Sequence, residues 1–148
     1  MRVEQYQVKN NMSMDPMHDS YADEIRIENN CLIIVYDKLD EGVLGPDGVS
    51  EYKNKKLTVK YDFQTQCDAK FYYGKNKCLW LDMLEDINMF NKITKDCIFM
   101  SYKYSVDSFN EITLDFDIHK GSRTEYKKYK YWGLEISLDA TNITYIWE

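Results

Sequence analysis

Proline and glycine are scarce in this chain, with 2 and 6 residues among 148. This composition excludes collagen-like repeats and flexible linkers rich in these residues. Histidine is also scarce, with 2 residues, so few imidazole ligands exist for a catalytic transition metal. No apolar run approaches the ~20 residues needed to cross a bilayer, and the N-terminal stretch lacks the apolar core of a signal peptide. We therefore expect a cytoplasmic protein that does not enter the membrane.

The cysteine pattern does not predict a metal or disulfide site. The four residues are Cys31, Cys67, Cys78 and Cys97, and no C-x-x-C pair occurs among them. Three of the four lie within or beside apolar runs, as small core residues do. In a reducing cytosol we expect free thiols rather than disulfides or zinc ligands, and we predict no cofactor.

Lysine and arginine, 19 residues together, are outnumbered by the 25 aspartate and glutamate residues. The formal net charge is −6 and the pI is near 5, which disfavours nucleic acid and anionic membranes as partners and favours a basic protein. One basic stretch, Lys120 to Lys130, contains Tyr126 and Tyr129. Such a stretch can contact phosphates and stack on bases, but it is equally typical of a lysine-rich edge strand, which is our interpretation.

Alternation of apolar and polar residues is the strongest signal present. It is clearest in Glu111 to His119, where one face of a strand would carry Ile112, Leu114, Phe116 and Ile118. This pattern predicts a sheet with one buried face. At this length the default is a single domain over residues 1–148, with residues 1–19 as an irregular lead-in.

Other segments have strand character as well. Asn29-Asn30 is a turn pair between Tyr21–Glu28 and the continuously apolar Cys31–Tyr36, which we expect to be covered on both faces. The remaining predicted strands are Val3–Val8, Leu57–Phe63, Ala69–Tyr73, Lys77–Leu81, Cys97–Tyr104, Tyr126–Leu138 and Ile143–Trp147. A turn is predicted between the last two, at Asp139 to Asn142.

One helix is predicted. Asp82 can cap the first turn while Glu85 reaches back in a capping box, and the apolar spacing that follows ends near Asn91 or Lys92. The expected fold is therefore α+β and β-rich, an antiparallel, meander-like curved sheet or partly open barrel of about 7–9 strands with one main helix near residues 82–92.

Two segments resemble metal sites only superficially. His18-Asp19 matches a dipeptide of metal-dependent phosphohydrolases, but that chemistry requires several further histidines and carboxylates on neighbouring helices, and this β-rich chain has only His119 besides. Asp40 to Glu51 has the length of an EF-hand loop, yet Gly42 and Leu44 occupy positions that must supply oxygen ligands. We predict no metal site in either segment.

Asp115, Asp117 and His119 would share one face of a strand. They could form an acid–base or metal cluster, but a solvated outer sheet face gives the same pattern and is the interpretation we adopt. No nucleophile elbow occurs either. No catalytic residue is predicted, and the expected protein is non-enzymatic.

The first quarter of the chain resembles small β-rich bacterial proteins of toxin–immunity neighbourhoods. The resemblance lies in His18-Asp19-Ser20 leading into a strand at Glu24–Ile27, followed by an Asn-rich turn and the apolar strand Cys31–Tyr36. It implies a cytoplasmic protein that binds and neutralises a toxin. An acidic surface suits that role, because it accelerates encounter with a basic nuclease.

Under this hypothesis the contact residues are carboxylates of the long loop after the first hairpin. The candidates are Asp40, Glu41, Asp47 and Glu51. The alternative hypothesis is a small-molecule binder, in which the curved sheet and the helix form a cup with Trp80, Trp132 and Tyr145 in its wall.

Overall fold

The computed structural model describes residues 1–7, 20–39, 55–106 and 111–148. The described residues form one antiparallel sheet and one helix. The elements are β1 Arg2–Gln7, β2 Tyr21–Ala22, β3 Glu24–Glu28, β4 Cys31–Tyr36, β5 Leu57–Tyr73, β6 Lys77–Asp82, α1 Ile87–Thr94, β7 Cys97–Val106, β8 Ile112–Gly121, β9 Tyr126–Lys127 and β10 Tyr131–Trp147. No helix within these ranges has the length and apolar character needed to span a bilayer.

Seven strands follow one another in the order β2-β7-β8-β10-β5-β4-β3, and the sheet curls into a nearly closed barrel with an unsealed seam. β1 pairs with β10, β6 with β5 and β9 with β8. Since β2 and β3 lie at the two ends of this order, the seam lies where the chain passes from one to the other. The predicted β-rich α+β fold is confirmed.

Alternation predicted the core correctly where it was clearest. All four apolar side chains of β8 are buried: Ile112, Leu114, Phe116 and Ile118. Every residue of β4 is also buried, as expected for a strand covered on both faces. Between β3 and β4, Asn29 and Asn30 have φ of 52° and 56°, the left-handed pair that a two-residue type I′ hairpin requires.

The helix is confirmed, but it begins at Ile87 rather than after a cap at Asp82. Asp82 ends β6, where its side-chain Oδ1 accepts a hydrogen bond from the Leu84 N–H at 2.9 Å. Its carbonyl accepts a hydrogen bond from the Asp86 N–H at 2.7 Å. The carboxylate therefore stabilises a turn between strand and helix, and the expected capping box does not form.

The predicted reversal at Asp139 to Asn142 is wrong, because β10 continues through these residues to Trp147. The pairing with β5 shifts register here, which marks a β-bulge. The Asp139 carboxylate accepts hydrogen bonds from the N–H groups of Gln66 at 2.9 Å and Thr65 at 3.2 Å, and from the Thr65 hydroxyl. Asp139 thus provides hydrogen-bond acceptors for main-chain N–H groups of β5 where the regular ladder between β5 and β10 is interrupted.

This arrangement makes stability depend on pH. Burial opposes ionisation of Asp139, but the hydrogen bonds from Thr65 and Gln66 outweigh it, so the pKa of Asp139 is lowered. A carboxyl whose pKa falls on folding stabilises the folded state above its unfolded pKa of about 4, and that contribution is lost as pH falls through the folded value. We expect Asp139→Asn to destabilise the protein most near pH ~6, with a smaller difference from wild type below pH ~4.

Urea unfolding of wild type and Asp139→Asn across this pH range measures the effect. The same pair in a Thr65→Val background is the matched control, since the hydroxyl donor is then absent and the pH-dependent part should shrink. A stability difference that is constant from neutral to acidic pH would contradict the assignment.

At one end of the seam, the side chain of Asn91 in α1 forms the hydrogen bonds to β3 that a neighbouring strand would otherwise form. Its Oδ1 accepts a hydrogen bond from the Ile27 N–H, and its Nδ2 donates to the Ile27 carbonyl, both at 2.9 Å. One side-chain amide therefore satisfies both main-chain groups of an edge residue of β3. Phe90, the preceding residue, is buried with its ring centroid 5.6 Å from that of Phe71.

Arg123 ties the turn after β8 to the other side of the seam. Its Nε and Nη2 donate to the two carboxylate oxygens of Asp23 at 3.0 and 2.8 Å. Nη1 donates to the Lys38 carbonyl and Nη2 to the Tyr21 carbonyl, each at 2.6 Å. The bidentate geometry makes this a strong, directional contact across the junction of β2 and β3.

Candidate functional site

The carboxylates predicted to contact a toxin lie outside the described residues. These are Asp40, Glu41, Asp47 and Glu51, and the same holds for His18-Asp19 and the segment Asp40 to Glu51 as a whole. Their proposed role stays a prediction.

The three aromatics predicted to line a cup do not meet in one pocket. Tyr145 is 7% exposed in the core and stacks on Trp147 with centroids 6.1 Å apart, whereas Trp80 and Trp132 are 64% and 50% exposed. Plain alternation would place Trp132 beside the buried Leu134, but the register shifts between Tyr131 and Gly133. This bulge turns Trp132 to the outer side of the sheet.

Trp132 stacks there on Tyr72 of β5, with centroids 5.5 Å apart and ring planes at 29°. Its Nε1 donates a hydrogen bond to the Gly74 carbonyl at 3.1 Å, which fixes the indole. Gly133 is in register with Tyr72, and a Cβ at Gly133 would lie 3.4 Å from the Tyr72 ring. That distance is an ordinary van der Waals contact, so Tyr72 lies directly against β10 at Gly133.

Carboxylates occupy neighbouring positions on the same outer side. Asp117 of β8 is in register with Gly133, and Asp115 is in register with Glu135 of β10. Side chains directly opposite each other on adjacent strands lie ~4.5–5.5 Å apart at Cβ, so these groups are close. Asp115 is only 6% exposed, which corrects the prediction that this strand face is simply solvated.

Lys70 of β5 links Glu135 to the exposed Trp80. Its Nζ lies 3.7 Å from the Glu135 carboxylate and 5.2 Å from the centroid of the Trp80 indole. The indole is thus already in the position of a cation–π acceptor. Lys70 therefore occupies one side of the exposed indole and offsets part of the charge of Glu135.

Two tyrosine hydroxyls report the negative potential of this surface. Burial, then the charges of Glu135, Cys78 and Asp115, raise the pKa of Tyr72. Burial, then the charges of Asp115, Asp117 and Glu135, raise the pKa of Tyr102, a residue of β7 that is 44% exposed. Both phenols therefore lie within the field of the same carboxylates.

We call this surface the aromatic–carboxylate face. Its members are Tyr72, Trp80, Tyr102, Trp132, Asp115, Asp117 and Glu135. The sequence prediction included Trp80 and Trp132 but missed the tyrosines and Glu135. A glycine beside a tryptophan inside a strand, Trp132-Gly133, was the one local signal of a bulge that could have indicated this surface.

No nucleophilic or metal centre is assembled among the described residues. They contain no group of three His, Cys, Asp or Glu that could hold a metal ion. All four cysteines are free, and Cys31, Cys67 and Cys97 are buried while Cys78 is exposed. Burial raises the pKa of Cys31 and of Cys97 to about 11, and it raises that of Cys67 further. These three thiols are core residues, as predicted, without the lowered pKa of an activated thiolate.

Comparison of the chain with known proteins identifies no similar protein or structure. No protein-family model, no curated protein and no solved structure matches the chain, and the resemblance to proteins of toxin–immunity neighbourhoods stays a prediction.

Proposed function

We propose that this chain is a non-enzymatic binding protein, of the toxin-neutralising kind, that contacts a basic protein partner through the aromatic–carboxylate face. One observation carries the proposal: exposed indole and phenol rings share a sheet surface with several carboxylates. No chemistry at a reacting atom is required, because occupying a partner's surface is sufficient for inhibition.

The aromatic rings supply the apolar part of such an interface. Trp80, Tyr102 and Trp132 are all substantially exposed, although burial of large rings is usually favourable. Tryptophan and tyrosine are enriched among the residues that dominate binding energy at protein interfaces. Because the Trp132 indole is held by stacking and by its hydrogen bond, little side-chain entropy is lost when a partner binds.

The carboxylates supply selectivity for positive charge. A lysine or arginine of the partner can pair with Asp117 while its stem or guanidinium lies against a ring. The net charge of −6 also steers a basic partner toward the protein over distances longer than a direct contact. A stable interface buries ~1,600 Å² in total, so contacts beyond this face are required, and the carboxylates predicted from the sequence, Asp40, Glu41, Asp47 and Glu51, are our candidates.

Binding to a panel of basic nucleases at low and high ionic strength tests the proposal. We expect at least one partner whose affinity falls as salt rises, since exposed charge pairs are screened. For that partner, Trp132→Ala and Asp117→Asn should each weaken binding, by roughly 10-fold or more for the tryptophan.

Tyr126→Ala and Glu28→Gln are matched controls, because both residues are exposed and lie outside the face. They should leave affinity unchanged. The proposal would be overturned by a panel without salt-sensitive binding, or by face and control variants that weaken binding equally.

A further inference from the structure

We propose that the barrel seam beside β3 is a docking slot for an extended, basic segment of a partner protein, which pairs with the main chain of Ile25. The slot involves no residue of the aromatic–carboxylate face. It can therefore be tested separately from the function proposed above.

The direction of the main-chain groups of β3 follows from its hairpin. The two-residue turn makes Glu28 and Cys31 the first pair to exchange hydrogen bonds, so Arg26 and Glu24 follow as the next residues that bond to β4. The intervening residues Ile25 and Ile27 point their N–H and C=O groups away from β4, toward the seam. The bonds between Ile27 and Asn91 confirm this direction.

Ile25 has no such partner within the part of the chain that the structure describes. Its side chain is buried in the core, yet the residue lines a cleft of about 440 Å³, so it contributes its main chain to the cleft wall. Asn91, Thr94, Lys95 and Asp96 form the opposite wall. Arg26 and Glu24 lie on the same wall as Ile25, and they form an ion pair with each other. The main-chain groups of Ile27 thus bond to a side-chain amide, and those of Ile25 have no partner among residues 1–7, 20–39, 55–106 and 111–148.

A second cleft, of about 470 Å³, adjoins the first, and the two share Asp23 and Asp96. The carboxylate-bearing residues of its lining are Asp23, Asp37, Asp96 and Glu125, and no described residue of that lining is a lysine or arginine. Arg123 neutralises Asp23. Asp37, Asp96 and Glu125 are exposed and form no ion pair among the described residues, so this cleft favours a positive group.

An extended polypeptide fits both features. It presents an N–H and a C=O from the same residue at strand spacing, as Ile25 requires, and it advances ~3.3 Å per residue toward the second cleft. A lysine or arginine further along the segment would then lie near Asp96 and Glu125 in the second cleft. The open position at Ile25 in the first cleft favours an extended segment over a compact ligand, and the carboxylates of the second cleft favour a basic residue over an acidic one.

Native-state hydrogen exchange tests the open position at Ile25 without any ligand. We expect the Ile25 amide to exchange at least ~10-fold faster than the amides of Arg26 and Ile27, which are bonded to β4 and to Asn91. Equal protection of Ile25 and Ile27 would overturn the proposal.

A peptide probe tests docking. Acetyl-Lys-Val-Thr-Val-Lys-amide should slow exchange at Ile25, whereas the same peptide with N-methylated valines, or with glutamate in place of lysine, should not. Asp96→Asn and Glu125→Gln should weaken the effect, and Asn suits position 96 because it tolerates the φ of 57° found there.

Trp132→Ala should leave the effect of the peptide unchanged, which separates this site from the aromatic–carboxylate face. The proposal fails if the lysine peptide does not protect Ile25. It also fails if the lysine, glutamate and N-methylated peptides protect it equally.

Discussion

Phe71→Ala is expected to lower the free energy of unfolding by about 3–5 kcal/mol, the usual range for deleting a buried phenyl ring. Phe71 is fully buried on β5, and its ring centroid lies 5.6 Å from that of Phe90 and 5.4 Å from that of Tyr131. The ring therefore joins the helix to the two long strands, and its removal leaves a cavity lined by three elements that cannot all move inward.

Chemical denaturation of wild type and variant measures this loss. Trp80→Ala is the control, since it removes a larger ring from the paired strand β6 at an exposed position. We expect that variant to lose about 1 kcal/mol or less, mainly the contact with Lys70. Losses of equal size in the two variants would mean that Phe71 is not at the centre of the core.

Gly121→Ala is expected to destabilise the protein by about 3 kcal/mol, from backbone strain and steric overlap together. Gly121 has a φ of +111°, a region that residues with a Cβ rarely adopt. A Cβ placed there would overlap the carbonyl oxygen of Glu125. Since Arg123 lies inside the same turn, the displaced turn would also withdraw its guanidinium from Asp23.

Gly74→Ala is the matched control. Gly74 also has a positive φ, of 54°, but a Cβ there would meet only the Lys77 side chain at 3.6 Å. The expected loss is about 1 kcal/mol, from the left-handed backbone alone. Thermal or urea unfolding distinguishes the two variants, and equal losses would show that the Glu125 carbonyl can move aside at little cost.

The strands that the sequence predicted well are those whose evidence is local. In β8 each apolar residue is two positions from the next, and the period alone specifies the buried face. The hairpin of β3 and β4 was equally predictable from the sequence, because Asn29-Asn30 indicates both the turn and the pairing register.

The errors concern carboxylates whose partners are distant or ambiguous. Asp82 satisfies the local pattern of a helix cap, but its side chain bonds to Leu84 within a turn. Asp139 lies in a segment whose residues are typical of a turn. Its carboxylate nevertheless accepts hydrogen bonds from Thr65 and Gln66 on another strand, and no local window of the sequence contains both partners. Turn-forming residues also occur at bulges, and only the pairing partner distinguishes the two.

The candidate site was only partly predictable for the same reason. Trp80 and Trp132 were identified as aromatics suited to binding, but period two grouped Trp132 with the inner residues of β10. The bulge before Gly133 reverses that assignment, and Tyr72 and Tyr102 join the surface only through pairings between strands. The open position at Ile25 is a property of the unsealed seam between β2 and β3, and composition contains no signal for it.

The length of β5 and β10 has a consequence for folding kinetics. Each strand runs for 17 residues, and their pairing extends from Tyr73 with Tyr131 to Leu57 with Trp147. The last of these contacts joins residues separated by more than half the chain, so a large loop must close before the two central strands are zipped together. High contact order of this kind slows folding, so we expect this chain to fold more slowly than a helical protein of the same length.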